Sequence, residues 1–118
     1  MRLVLVEPVK KKCSFLNSVI GLLKIRDAST FDGTIEQYAK WTFHHPIDTV
    51  LVRALKFEEI RKYIPALLVP KGKVVLYRTE TIKKQEIGED FHLVNETVLA
   101  LPQGSGNRVV TVIEVNSP

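Results

Sequence analysis

Leu3-Val4-Leu5-Val6-Glu7-Pro8-Val9-Lys10-Lys11-Lys12-Cys13-Ser14-Phe15-Leu16 is the stretch whose reading decides the fold. Four apolar residues in a row, all leucine or valine, suit a strand covered on both faces, as in a parallel sheet. Glu7 follows at once, and Pro8 has the fixed φ that suits the first turn of a helix. Beyond it, Phe15, Leu16, Val19, Ile20 and Leu23 keep the spacing of one helical face. The order is strand, acid, helix. In an open α/β sheet, ligands sit outside the carboxyl ends of the strands, where Glu7 stands in this reading. A carboxylate there can accept two hydrogen bonds from a vicinal diol such as a ribose. The plainer alternative is an acid that only caps the helix start and favours its dipole.

Outward from this stretch the two kinds of element keep alternating. Ile25 to Phe31 reads as a short strand closed by the turn dipeptide Asp32-Gly33. A short helix is expected from Thr34 or Ile35 to Trp41, with Ile35, Tyr38, Ala39 and Trp41 inward, broken at Phe43-His44-His45-Pro46. Asp48-Thr49-Val50-Leu51-Val52-Arg53-Ala54 is a second buried strand. Phe57 to Leu68 is amphipathic through Phe57, Ile60, Ile64 and Leu67, with Pro65 ending or kinking it. Pro70-Lys71-Gly72 reads as a turn and Lys73 to Arg78 as a third strand. Thr79 to Asp90 is a short helix or loop. Phe91 to Leu101 and Arg108 to Val115 are strands joined through Pro102-Gln103-Gly104-Ser105-Gly106-Asn107 as a hairpin. Neither a repeat nor a linker interrupts the pattern, so residues 1–118 are expected to form one domain. The fold class is α/β: a mostly parallel, Rossmann-like sheet ending in an antiparallel β-hairpin.

The 118 residues can bury a core without disulfide or metal, and 45% hydrophobic with 25% charged residues is ordinary for a soluble globular protein. The single cysteine, Cys13, has no thiol partner, which suits a reducing cytoplasm. No apolar run approaches the length of a membrane span, and the N-terminus lacks a signal-peptide pattern. A net charge of +4 permits nucleic-acid binding without demanding it.

The residues above resemble, in order, fragments of the glucose-inhibited division protein B family, over essentially the whole chain. The fragments are Leu5-Val6-Glu7 followed by Lys11-Lys12 and Phe15-Leu16; Gly33-Thr34-Ile35-Glu36; Asp48 to Ala54; Pro70-Lys71-Gly72; and Asn107-Arg108-Val109-Val110-Thr111-Val112-Ile113. The family's members are S-adenosylmethionine-dependent methyltransferases that modify a guanine N7 of small-subunit ribosomal RNA. The resemblance covers the C-terminal two-thirds of the family pattern. It implies a truncated methyltransferase-like domain with S-adenosylmethionine as cofactor, ribosomal RNA or the small ribosomal subunit as partner, and a cytoplasmic setting. Three departures stand out. The glycine-rich loop after the family's first strand has no counterpart, and Gly104-Ser105-Gly106 sits in a hairpin instead of a strand-to-helix turn. Thr34 replaces an arginine, and Arg78-Thr79 replaces a Lys-Gly. Without the first strand, Leu3–Val6 is expected to pair directly with Thr49–Val52, or a homodimer or complementing chain fills the gap, because open edges invite pairing.

The resemblance assigns Glu7 to the ribose and Ile35 and Glu36 to the turn that flanks the adenine. Their plainer readings are a helix-start acid, a buried apolar residue and a solvated acid. Arg53 ends a buried strand where a cation meets RNA phosphate or a base, or else makes a salt bridge to Glu7 or Asp48. Lys11 and Lys12, with Lys10, oppose the dipole of their helix, which points to phosphate contact or to a solvated face. Arg108 opens the last strand and joins the RNA-facing set. His44 and His45 lack a third ligand at metal spacing, Cys13 has no adjacent base, and Asp32 with Asp48 makes no acid–base pair. No catalytic residue is expected, because methyl transfer from a sulfonium to guanine N7 asks for alignment more than proton transfer. Two functions remain open: a ribosomal RNA methyltransferase, complete or needing a complementing segment, and a non-catalytic RNA-binding or ribosome-assembly module.

Overall fold

The computed structural model describes residues 2–41, 45–53 and 55–117. They fall into two compact units, Met1–His44 and His45–Pro118. Phe43 and His44, in the expected break, and Ala54, at the expected end of a strand, lie outside the described residues.

The first unit runs β1 (Leu3–Glu7), α1 (Lys10–Leu22), β2 (Ala28–Asp32), α2 (Ile35–Lys40). β1 and β2 are parallel, with Leu3 opposite Ala28 and Glu7 opposite Asp32. Helix α1 starts after an N-cap at Val9, so Pro8 precedes the helix instead of opening its first turn. The start is displaced because the Glu7 side chain accepts the Val9 N–H, at 3.1 Å. The inward line of α1 is Cys13, 6% exposed, with Leu16, Val19 and Ile20 half-buried behind it. Phe15 and Leu23 are 67% and 64% exposed, contrary to the apolar face expected for them. With Cys13 inward, Phe15 is about 200° round the helix, and Leu23 lies at the C-cap. Strand β2 starts later than Ile25, because Lys24 and Asp27 adopt left-handed φ values of 52° and 58°.

Gly33 joins β2 to α2 where no larger residue fits: a Cβ there would lie 2.6 Å from Gln37 Oε1 and 2.7 Å from Phe31 Cε2. Thr34 and Gln37 cap α2 reciprocally, each side chain accepting the other's backbone N–H. Phe31, Tyr38 and Trp41 then stack edge-on or tilted, with centroids 5.1 to 6.0 Å apart. Burial pushes the Tyr38 hydroxyl above its ordinary pKa.

The second unit runs β3 (Ile47–Arg53), α3 (Phe57–Ile60), a 3₁₀ turn at Arg61–Tyr63, β4 (Leu68–Arg78), α4 (Lys84–Ile87), β5 (Phe91–Ala100), a 3₁₀ turn at Pro102–Gly104, and β6 (Asn107–Val115). Strand order is β3-β4-β6-β5. β3 and β4 are parallel, whereas β6 is antiparallel to both β4 and β5. The long helix expected after Phe57 is reduced to α3 and the turn, in keeping with the early proline at Pro65. Its periodic residues Phe57, Ile60, Ile64 and Leu67 are all buried nonetheless. They complete a core with Val74, Leu76, Val109 and Ile113. Pro70-Lys71-Gly72 lies inside β4 as an irregularity: pairing jumps from Ile47 opposite Leu68 to Thr49 opposite Lys73. Lys71 takes φ 63°, and a Cβ on Gly72 would lie 2.8 Å from Leu68 Cβ and from the Val69 carbonyl oxygen.

Direct pairing of Leu3–Val6 with Thr49–Val52 does not occur. Among the described residues β1 pairs with β2 and β3 with β4, in separate sheets. Among the described residues, β1 and β3 each pair with one strand, inside their own unit.

Candidate functional site

In the first unit, the carboxyl ends of β1 and β2 bring Glu7, Asp32 and the opening of α2 together. Glu7 is half-buried, and its carbonyl oxygen accepts the Gly33 N–H at 3.1 Å. Its side chain both steadies the entry to α1 and keeps acceptor capacity, since each carboxylate oxygen has two lone pairs. The helix-start role and the diol-binding role are therefore compatible. Asp32, exposed and in register with Glu7, sets a second carboxylate on the adjacent strand end. Parallel register between two strands separated by a helix has no local signal, although the Asp-Gly pair marked the spot as a turn. Ile35 is half-buried at the start of α2, and Glu36 Oε1 accepts from Lys40 Nζ at 3.0 Å. Lys11 and Lys12 are exposed at the start of α1, whose first turn holds no acid. The Glu7 carboxylate keeps acceptor capacity for a hydroxyl donor, but the described residues offer no glycine-rich loop for a nucleoside cofactor.

In the second unit, the carboxyl ends of β3 and β4 and the start of β6 surround an open cavity of about 400 Å³. Arg53, Lys56, Tyr77, Arg78, Glu80 and Arg108 line it. Arg53 and Tyr77 are direct neighbours across β3 and β4, and the guanidinium carbon lies 5.6 Å from the ring centroid. Neither Arg53, Lys56 nor Arg108 has a carboxylate partner among the described residues. Where the plainer reading offered Arg53 an ion pair with Glu7 or Asp48, the contact found is cation–π with Tyr77. Arg108 Nη1 donates to the Asn107 carbonyl at 2.9 Å.

Arg78 is different. Its Nη2 donates to Glu86 Oε2 at 2.8 Å, and its Nη1 is buried without a partner. Partial burial alone would raise the Glu86 carboxyl. The Lys83 backbone hydrogen bond and the adjacent Arg78 outweigh it and hold the group below the usual carboxylate range. Arg61 ties the short helix α4 down by donating to the Gln85 and Glu86 carbonyls, each at 2.9 Å. A smaller hollow of about 120 Å³, lined by Val52, Phe57, Leu76, Arg78 and Glu86 among others, accompanies this pair. Behind the rim, Glu96 Oε2 accepts from Ile82 N at 2.9 Å and from the buried Thr111 hydroxyl at 2.5 Å.

Sequence reading singled out Arg53 and Arg108, which the structure places on one cavity, but not Lys56, Tyr77 or the Arg78–Glu86 pair. Among the described residues no group of three His, Cys, Asp or Glu could hold a metal ion, and no helix is long and apolar enough to cross a membrane.

An acid at the end of the first parallel pair, and a parallel pair extended by an antiparallel hairpin, define a chain of the methyltransferase fold class. Solved structures agree: TrmN from Thermus thermophilus superposes with a TM-score of 0.77 at 16% identity, over 98% of this chain and 36% of that one. An O-methyltransferase from Bacillus cereus, solved in complex with SAH, gives 0.71 at 13% identity over 98% and 63%. The sequence model of GidB, rRNA small subunit methyltransferase G, matches residues 1–108, and the chain belongs to that family. The ribosomal RNA small subunit methyltransferase G of Staphylococcus epidermidis is 25% identical over 122 residues, covering 97% of this chain. The chain spans about half of that relative's length, 51%.

Proposed function

We propose that this chain takes part in S-adenosylmethionine-dependent methylation of small-subunit ribosomal RNA, of the 16S guanine-N7 type. Residues 1–118 act in this reading as one shortened cytoplasmic methyltransferase domain, completed by a segment that supplies the glycine-rich loop. The family match over residues 1–108 carries the reading. Glu7 accepts the ribose hydroxyls at the carboxyl end of β1, and Ile35 and Glu36 flank the adenine. Lys11, Lys12 and Arg108 meet RNA phosphate, and Arg53 meets phosphate or a base. The bound cofactor supplies a methyl group already activated by its sulfonium, so the chain's own residues are asked for binding and alignment. The free edges of β1 and β3 are where a complementing chain or a second copy would add a strand.

Calorimetric titration of the chain with S-adenosylmethionine, beside Glu7→Ala, tests the reading. Binding that disappears in the variant supports it. Absence of heat at millimolar ligand, both alone and with a segment carrying the glycine-rich loop, overturns it. The second reading, a non-catalytic RNA-binding or ribosome-assembly module, is favoured by the basic cavity of the second unit, which calls for no cofactor. Salt-dependent RNA binding without cofactor binding marks that case.

A further inference from the structure

We propose that Tyr77 and Arg53 form a stacking platform for one unstacked base of single-stranded RNA, with Lys56 and Arg108 on the neighbouring phosphates. The inference deepens the RNA-binding half of the reading above and rests on it.

Tyr77 carries the argument. It follows the buried Leu76 on β4, yet Tyr77 is 40% exposed and lines the cavity at the carboxyl end of the strand. An exposed aromatic on an inner strand adds little to the core; what it offers is a flat apolar face. Arg53 lies across the strand pair at 5.6 Å from the ring centroid, within cation–π range. A guanidinium so placed is itself a planar surface on which a base can stack. The walls are net positive: Arg53, Lys56 and Arg108 have no acid partner among the described residues, Arg78 is neutralised by Glu86, and Glu80 is the opposing charge. A flat aromatic beside unpaired cations is the combination that binds single strands, where the ring takes the base and the cations take the backbone. A cavity of about 400 Å³ is in the size range of small-ligand sites and admits a nucleobase. A paired duplex keeps its base faces stacked and cannot use the platform.

Fluorescence anisotropy tests this with three probes: a short mixed-sequence single-stranded RNA, the same strand fully paired, and the same strand with abasic riboses. The wild-type chain is expected to prefer the intact single strand. Tyr77→Ala is expected to weaken that binding about tenfold, leaving the abasic strand, the duplex and the salt slope unchanged, while Tyr77→Phe restores it. Arg108→Ala is expected to weaken all three and to reduce the single-strand salt slope by about 0.7. The platform is overturned if Tyr77→Ala binds the intact strand within about twofold of wild type, or if the abasic strand binds as tightly as the intact one. Absence of any salt-dependent binding by the wild-type chain overturns the RNA reading itself, a result distinct from loss of the base-dependent part.

Discussion

The two units carry their candidate sites on very different supports. In the first, Cys13 and Tyr38 are the buried apolar side chains among the described residues, while Phe15, Leu22 and Leu23 of the α1 region face outward. The acids at the ends of β1 and β2 are held by local devices: a side-chain bond to Val9, a glycine with no room for a Cβ, and a capping box. In the second, Ile64, Leu67, Val74, Leu76, Val109 and Ile113 form a core under a four-stranded sheet, and the basic cavity sits on its rim. Geometry that depends on capping is easily loosened by one substitution at the surface; geometry that depends on a core yields only to substitutions inside it.

The largest test of this contrast is a matched pair of truncations. Ile113→Ala is expected to lower unfolding free energy by about 3 kcal/mol, because removing a fully buried side chain of β6 leaves a cavity in the core against the sheet. Leu16→Ala, half-buried on α1, is expected to cost about 1 kcal/mol. Urea unfolding measures both, and equal losses break the comparison.

A smaller effect is expected at the Arg78–Glu86 pair. Glu86→Gln should cost about 1–2 kcal/mol at neutral pH, because it weakens a charged hydrogen bond to a guanidinium that is already short of partners. The sign with pH follows from the lowered carboxyl of Glu86. Its contribution is complete above the ordinary value of 4.5 and is lost as the pH falls through the lower native value. Wild type and variant should therefore converge in acid, and a stability difference independent of pH down to about 2 would remove the ion pair from the account. The smallest effect belongs to the first unit. Thr34→Ala should cost about 1 kcal/mol and increase amide exchange in α2, with exchange in β4 and β6 unchanged.

Much of this arrangement is legible in the sequence where the signal is local. The Leu3–Val6 run, the Asp-Gly turn, the periodic Phe57, Ile60, Ile64 and Leu67, and the final hairpin all have short-range signatures, and each takes its expected form or burial. The inward face of α1 does not, since Phe15 and Cys13 offer two apolar phases and only packing chooses between them. Pro70-Lys71-Gly72 has turn composition, yet the strand continues through it, with the left-handed residue and the tight glycine absorbed as an irregularity. The candidate sites are legible in part for the same reason. Glu7, Arg53 and Arg108 declare themselves by standing at strand ends. Asp32 beside Glu7 and Tyr77 beside Arg53 depend on parallel register, which is settled by long-range pairing and leaves no mark in either strand alone.

The Glu96 carboxylate, held between the Thr111 hydroxyl and the Ile82 N–H, gives the terminal hairpin a task beyond closing the sheet. It fastens the segment after β4, the one bearing Thr79 and Glu80 on the cavity rim, to a strand two places away. The hairpin thus works as a brace for the mouth of the site. In the RNA-binding reading proposed above, a substitution at Glu96 would therefore alter the rim of the cavity without changing any residue that lines it.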